Sequence, residues 1–182
     1  MTSWREIDFR YDWVYLVLSA LKSGFDEVQK RGEEQEWFDG LWQLEHSESI
    51  FGVAFITAQT YIVGVVGDIN KIRSGSGKSV LNKNKCYEDD PNPLPNGVNR
   101  ILLINHIANY YKHQDEWNGW KLNNTTRFLA TVGINENTEF PCYEVSTILW
   151  DEKHAIELEK LLLIISEWRE YILSNYNLSN YK

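Results

Sequence analysis

Apolar residues along this chain recur mostly at intervals of three and four, the period of helices with one buried side. Over residues 7–30, Trp13, Leu16, Val17, Ala20, Leu21 and Phe25 form such a stripe. Asp8 or Asp12 suits the N-terminal end of that helix, and Lys30-Arg31-Gly32-Glu33-Glu34 reads as its end, with the glycine as stop signal. A second helix is expected from about Glu34 to Ile72. From Ile50 onward it is apolar nearly all round, which makes it the central, most buried element. Gly52, Ala54, Ala58, Gly64 and Gly67 give it small positions where a neighbour can come close. Its length predicts a kink near 47–52 or near Gly64.

A third helix is expected over 98–117. Thr125 or Thr126 would cap a short one that ends at Val132, before Gly133. The last helix, about Ala155 to Tyr176, carries the regular stripe Leu158, Leu161, Leu162, Ile165, Trp168 and Ile172, with Glu157, Lys160, Glu167 and Arg169 facing away or flanking it. Residues 134–146 read as irregular and 177–182 as a frayed tail. The polar stretch 73–97 holds Pro91, Pro93 and Pro95 and reads as a long mobile loop. No alternating β pattern extends beyond a few residues. Together these features predict an all-α single domain over 1–182, a four- to five-helix bundle with a long loop between helices 2 and 3.

Composition narrows the functional classes. The 182 residues suffice for one well-filled core, and eight Trp enrich it in large side chains. A net charge of −8 argues against broad nucleic-acid or anionic-membrane binding, while leaving room for a locally basic cleft. Cys86 and Cys142 fall in apparent loops without CxxC spacing, as expected of free thiols in a reducing, cytoplasmic setting. The apolar run Ile50–Val66 is broken by Gly52, Thr57, Gln59, Thr60 and Gly64, short of the roughly 20 residues a membrane span needs. A soluble protein without membrane contact is expected. Gly75-Ser76-Gly77-Lys78-Ser79 resembles the end of a phosphate-binding loop. However, Ile72 stands where that motif needs glycine, and the segment follows a helix instead of a strand. No cofactor motif remains.

The densest chemistry lies in Asn105–Trp117. On a helical wheel, Ile101, Leu103, Ile104, Ile107, Ala108, Tyr110 and Tyr111 share one side. Asn99, Asn105, His106, Asn109, Lys112, His113 and Glu116 share the other. His106 and His113 project about 20° apart, two turns from one another, with Asn109 between them. Asn and His are poor helix formers, so this polar face is unusual. The plain reading is a hydrated face. A metal reading would join His106, His113 and Glu116 to Glu45, His46 or Glu48 of another helix, but the strong local metal signatures are missing. A general acid/base reading uses His113 with Asn109 and Lys112: imidazole takes the proton of a ribose 2′-hydroxyl, and cation or amide stabilises charge on phosphate.

A helical bundle whose third long helix ends in Asn109-Tyr-Tyr-Lys-His113-Gln-Asp-Glu-Trp117 resembles the HEPN superfamily. That resemblance implies a bacterial defence or toxin–antitoxin setting and a homodimer. Metal-independent RNA cleavage would then fall to His113, Asn109, Lys112 and His106 in an RNA-facing cleft at the dimer interface. Asn109 and His113 match the polar residue and histidine of the family motif, while Ala108 stands at its arginine position. Arg100 and His106 satisfy the motif spacing numerically, but Ile101 follows the arginine. The alternative in another class is an acidic, non-enzymatic interaction module of the immunity or antitoxin type, masking a basic protein partner. A bundle metalloprotein is a third reading.

Overall fold

The computed structural model describes residues 8–34, 40–117, 119–150 and 157–176. Within them the chain forms seven α-helices and no strand: α1 (Phe9–Glu34), α2 (Gly40–Gly75), α3 (Lys83–Glu88), α4 (Arg100–His113), α5 (Asn124–Ala130), α6 (Pro141–Trp150) and α7 (Glu159–Asn175). The expected all-α bundle is present, with more helices than predicted. α2 is its axis and packs against α1, α4, α6 and α7. By length and composition alone α2 could cross a membrane, yet 61% of its most apolar window is buried inside the fold.

Close approach to α2 depends on its glycines. Gly52 lies under the Tyr111 ring of α4, and Gly64 under the Arg10 guanidinium of α1, so a methyl group at either place would overlap its neighbour. α2 continues as one helix through both positions where a kink was expected. It ends in a Schellman turn. Lys78 N–H donates to Arg73 O at 2.9 Å and Gly77 N–H to Ser74 O at 3.1 Å, with Gly77 at φ +70°. The phosphate-loop-like sequence is thus a helix C-cap.

α1 differs from its predicted stripe. Val14, Leu18 and Phe25 are its buried residues, whereas Leu16 is 66% exposed and Ala20 is exposed. Trp13, Leu21 and Phe25 of the predicted stripe do face the core, but the side turned inward is rotated toward Val14 and Leu18, where Asp8 and Arg10 anchor the helix. Asp8 accepts a hydrogen bond from the Tyr61 hydroxyl of α2, and its carboxylate lies 3.3 Å from buried Arg169 of α7. Arg10 pairs with Asp68 at 2.9 Å. Arg169 was expected to flank its helix and is instead an internal ion-pair partner. α1 ends at Glu34, inside the predicted terminating segment, but Gly32 is itself helical and sits against the Gln43 side chain.

Long-range contacts order the connection that follows α2. The long loop expected over 73–97 contains a short helix, α3, capped by Asn82, with Cys86 and Tyr87 buried. Asn70 holds Leu81 through two hydrogen bonds, and the Trp168 indole donates to Cys86 O at 2.9 Å. Arg100, at the start of α4, clamps Asp90 at 2.9 Å and reaches Glu167 at 3.6 Å. Tyr176, at the edge of the predicted fray, donates to Asp89 at 2.8 Å; residues 177–182 lie outside the described residues.

The predicted irregular stretch 134–146 overlaps α6, which opens on Pro141, a favoured first helical residue. Glu48 of α2 accepts from the Cys142 and Tyr143 backbone N–H groups at 2.8 and 2.9 Å and so closes the first turn of α6. Both cysteines are free, helical and buried, not in loops. Burial pushes the Cys86 thiol up to about 11, and that of Cys142 well above its ordinary value. Neither is a nucleophile at neutral pH. α7 matches its predicted stripe: Leu158, at its N-cap, and Leu161, Leu162, Ile165, Trp168 and Ile172 are all buried.

Candidate functional site

α4 begins where the Asn99 side chain accepts from Leu102 N–H at 2.8 Å, while its amide donates to Glu88 O at 2.9 Å and ties α4 to α3. Its regular part ends at His113, four residues short of the predicted end, followed by a 3-10 turn over Gln114–Glu116. The apolar side behaves as the wheel implied, with Ile101, Leu103, Ile104, Ile107 and Ala108 buried. The polar side is not one hydrated face. Three different surroundings divide it.

The first is the seam with α2, centred on Gln59, which is 6% exposed. Its amide nitrogen donates to Asn105 Oδ1 and Asn109 Oδ1, both at 2.9 Å, and to Asn105 O at 3.1 Å. Its oxygen accepts from Lys112 Nζ at 2.6 Å. A buried amide needs its donors and acceptors filled, and here they are. Asn109 and Lys112 are thereby fastened to α2. Burial, with repulsion from Lys83 added, lowers the Lys112 pKa.

The second surrounds His106. The imidazole stacks on Phe128 of α5, centroids 4.4 Å apart and 22° from parallel, with Nδ1 3.5 Å from Thr125 Oγ1. Burial lowers its pKa, favouring the neutral ring. The stack forms one wall of a cleft of about 450 Å³ between α3, α4 and α5, shared with Asn84, Asn105, Asn124, Arg127 and Tyr87. An Asn123–Thr126 capping box fixes the start of α5 and thus the position of Arg127 and Phe128. The side chains of Asn84, Asn124 and Arg127 make no hydrogen bond or ion pair within the described residues. The buried Tyr87 hydroxyl likewise has no hydrogen-bond partner there. Unspent polar groups around one concavity are what a polar ligand satisfies.

The third holds His113, which lies 3.0 Å from Glu116 and parallel to the Trp117 indole at 6.4 Å. The four predicted site residues therefore do not converge: Asn109 and Lys112 serve the α2 seam, His106 a cleft, and His113 the end of the helix. Arg100, the arginine at motif spacing from His106, is held by Asp90 with its side chain only 11% exposed. No group of three or more His, Cys, Asp or Glu that could hold a metal occurs among the described residues. Two of the three second-helix residues proposed for that role are engaged elsewhere, Glu48 at α6 and His46 against Trp42, whose carbonyl lies 2.9 Å from its Nδ1.

Sequence reasoning missed Gln59, Arg127 and Phe128. A lone amide inside an otherwise apolar helix was the available signal for Gln59, since such a group must find partners. Nothing local marks Phe128 as the companion of a histidine 22 positions earlier. A second, wider hollow of about 600 Å³ lies between α2 and α6, lined without any Lys, Arg or His.

No protein-family model matches the chain, and neither a curated protein nor a solved structure matches it.

Proposed function

We propose that this chain is a HEPN-like helical domain that binds single-stranded RNA in the α3–α4–α5 cleft without cutting it. The observation that carries the reading is the cleft lining: a His106–Phe128 stack, three asparagine amides and the Arg127 guanidinium around one concavity. Unstacked bases are bound through ring faces and through amides that read their edges, while cations hold the phosphates. Arg127 in this lining, and Lys83 over the Tyr87 ring of the same lining, are the cations available to phosphates, with Glu88 as the carboxylate beside them. Cleavage is not part of the reading, because His113 is bonded to Glu116 and not to any residue of the cleft.

Fluorescence anisotropy with short labelled RNAs tests it. Saturable binding is expected, weakened about tenfold by Arg127→Ala and by His106→Ala, with a shallower salt dependence for the arginine variant. RNA incubated with the protein in EDTA should remain intact. Absence of saturable binding overturns the reading. Cleavage that disappears in His113→Ala would replace it with the catalytic one.

A further inference from the structure

We propose that the recess at the end of α4 is an aromatic cage for a quaternary ammonium cation, free or carried on a methylated lysine. This site lies outside the α3–α4–α5 cleft and does not depend on RNA binding. After the 3-10 turn, Trp117 N–H donates to Gln114 O at 3.2 Å, and Gly119 N–H to Trp117 O at 2.9 Å. Gly119, at φ +84°, takes the left-handed conformation that lets the chain reverse there. Trp120 is thereby brought back against Tyr110.

Three rings result. Tyr110 stands 5.9 Å from Trp117 at 71°, and 5.5 Å from Trp120 at 45°. Because the planes are inclined, they form walls instead of a closed stack. They line a recess of about 260 Å³ together with Gln114, Asp115 and Glu136.

Ring faces carry negative charge density and attract cations, most of all cations whose methyl groups shed water easily. Two carboxylates at the same recess supply the opposite charge that a cation needs. The phenol of Tyr110 is pushed upward first by burial and further by the nearby carboxylates of Glu48 and Asp115, so it stays an uncharged hydroxyl at neutral pH. A net charge of −8 draws cations to the protein from a distance.

Core closure alone does not account for this arrangement. Tyr110 and Trp120 pack on the core, whereas Trp117 does not and is backed by the parallel ring of His113. A hydrophobic plug has no use for Asp115 and Glu136, both exposed and both turned to the same hollow. This also gives His113 a positioning role, in place of the catalytic one that the sequence predicted.

Calorimetric titration of the full chain tests the cage with choline, an N-acetylated trimethyllysine amide, and 3,3-dimethylbutan-1-ol, the neutral counterpart of choline. Saturable binding of a cation is expected, at least tenfold tighter than the alcohol, and weakened about tenfold by Trp117→Ala. Tighter binding of the trimethyllysine compound assigns the site to a protein partner, and of choline to a small molecule or lipid headgroup; both uphold the cage. Equal binding of the alcohol, no saturable binding of either cation, or a folded Trp117→Ala that binds as the parent does, overturns it. Should Trp117→Ala not fold, Glu136→Lys at an exposed position puts a competing cation at the recess. Binding should then be lost, and undiminished binding equally overturns the proposal.

Discussion

Two seams along α4 are lined by similar residue types and do opposite things. Toward α2, Asn105, Asn109 and Lys112 converge on Gln59, and every side-chain donor and acceptor of that glutamine is used. Toward α5, His106, Asn84, Asn124 and Arg127 surround open space, and the Tyr87 hydroxyl is left over. Saturated polar groups hold helices together, whereas unsaturated ones around a hollow are free to bind. Residue type does not separate the two cases; whether the polar groups bond within the protein or face open space does.

The largest effect should come from the saturated side. Gln59→Leu strands Asn105, Asn109 and Lys112 and is expected to cost about 2–4 kcal/mol in urea unfolding. A cost below about 1 kcal/mol would mean that this seam is no more structural than the cleft. Next comes Gly52→Ala, which drives a methyl into the Tyr111 ring where α2 and α4 touch. Roughly 1–3 kcal/mol should be lost, and Gly52→Ala combined with Tyr111→Leu should recover part of it.

Acid separates the sides in a different way. Burial holds the folded pKa of His106 below its ordinary value of 6.5, so the folded protein binds this proton more weakly than the unfolded chain. The contribution is therefore fully present above about pH 6.5 and is lost as the pH falls below it. Urea midpoints measured between pH 7.5 and 5 should decline, and His106→Gln should flatten that slope; an unchanged slope would show that His106 is not the group responsible. The smallest effect is expected at the cleft rim. Arg127→Ala and Asn84→Ala should leave stability within about 0.5 kcal/mol of the parent, while the arginine variant lowers RNA affinity. A larger loss of stability would make the cleft a second structural seam.

Wherever one side of a helix met one apolar neighbour, the sequence was readable. The α7 stripe, the α2 interior and the apolar arc of α4 follow directly from periodicity. α1 was read partly right: Trp13, Leu21 and Phe25 face the core, but Val14 and Leu18 were missed, because the deciding contacts are Asp8 and Arg10 with Tyr61, Arg169 and Asp68, which no count of apolar residues weighs. α3 and α6 were missed because their stability is borrowed from Trp168, Asn70 and Glu48. At the candidate site, the residues on α4 were legible as polar and unusual. Their division among three surroundings was not, since it depends on Gln59, Phe128 and Trp117 arriving from other parts of the fold.

Glu48 has a kinetic consequence. Phe140 precedes α6 without any side-chain acceptor, and the carboxylate that closes the helix comes from 94 residues earlier. α6 should therefore form late, after α2 is in place, as a segment whose nucleation is paid by another helix. Val145→Ala, inside α6, should speed unfolding in stopped-flow experiments and leave the folding rate nearly untouched; slowed folding would place α6 in the nucleus.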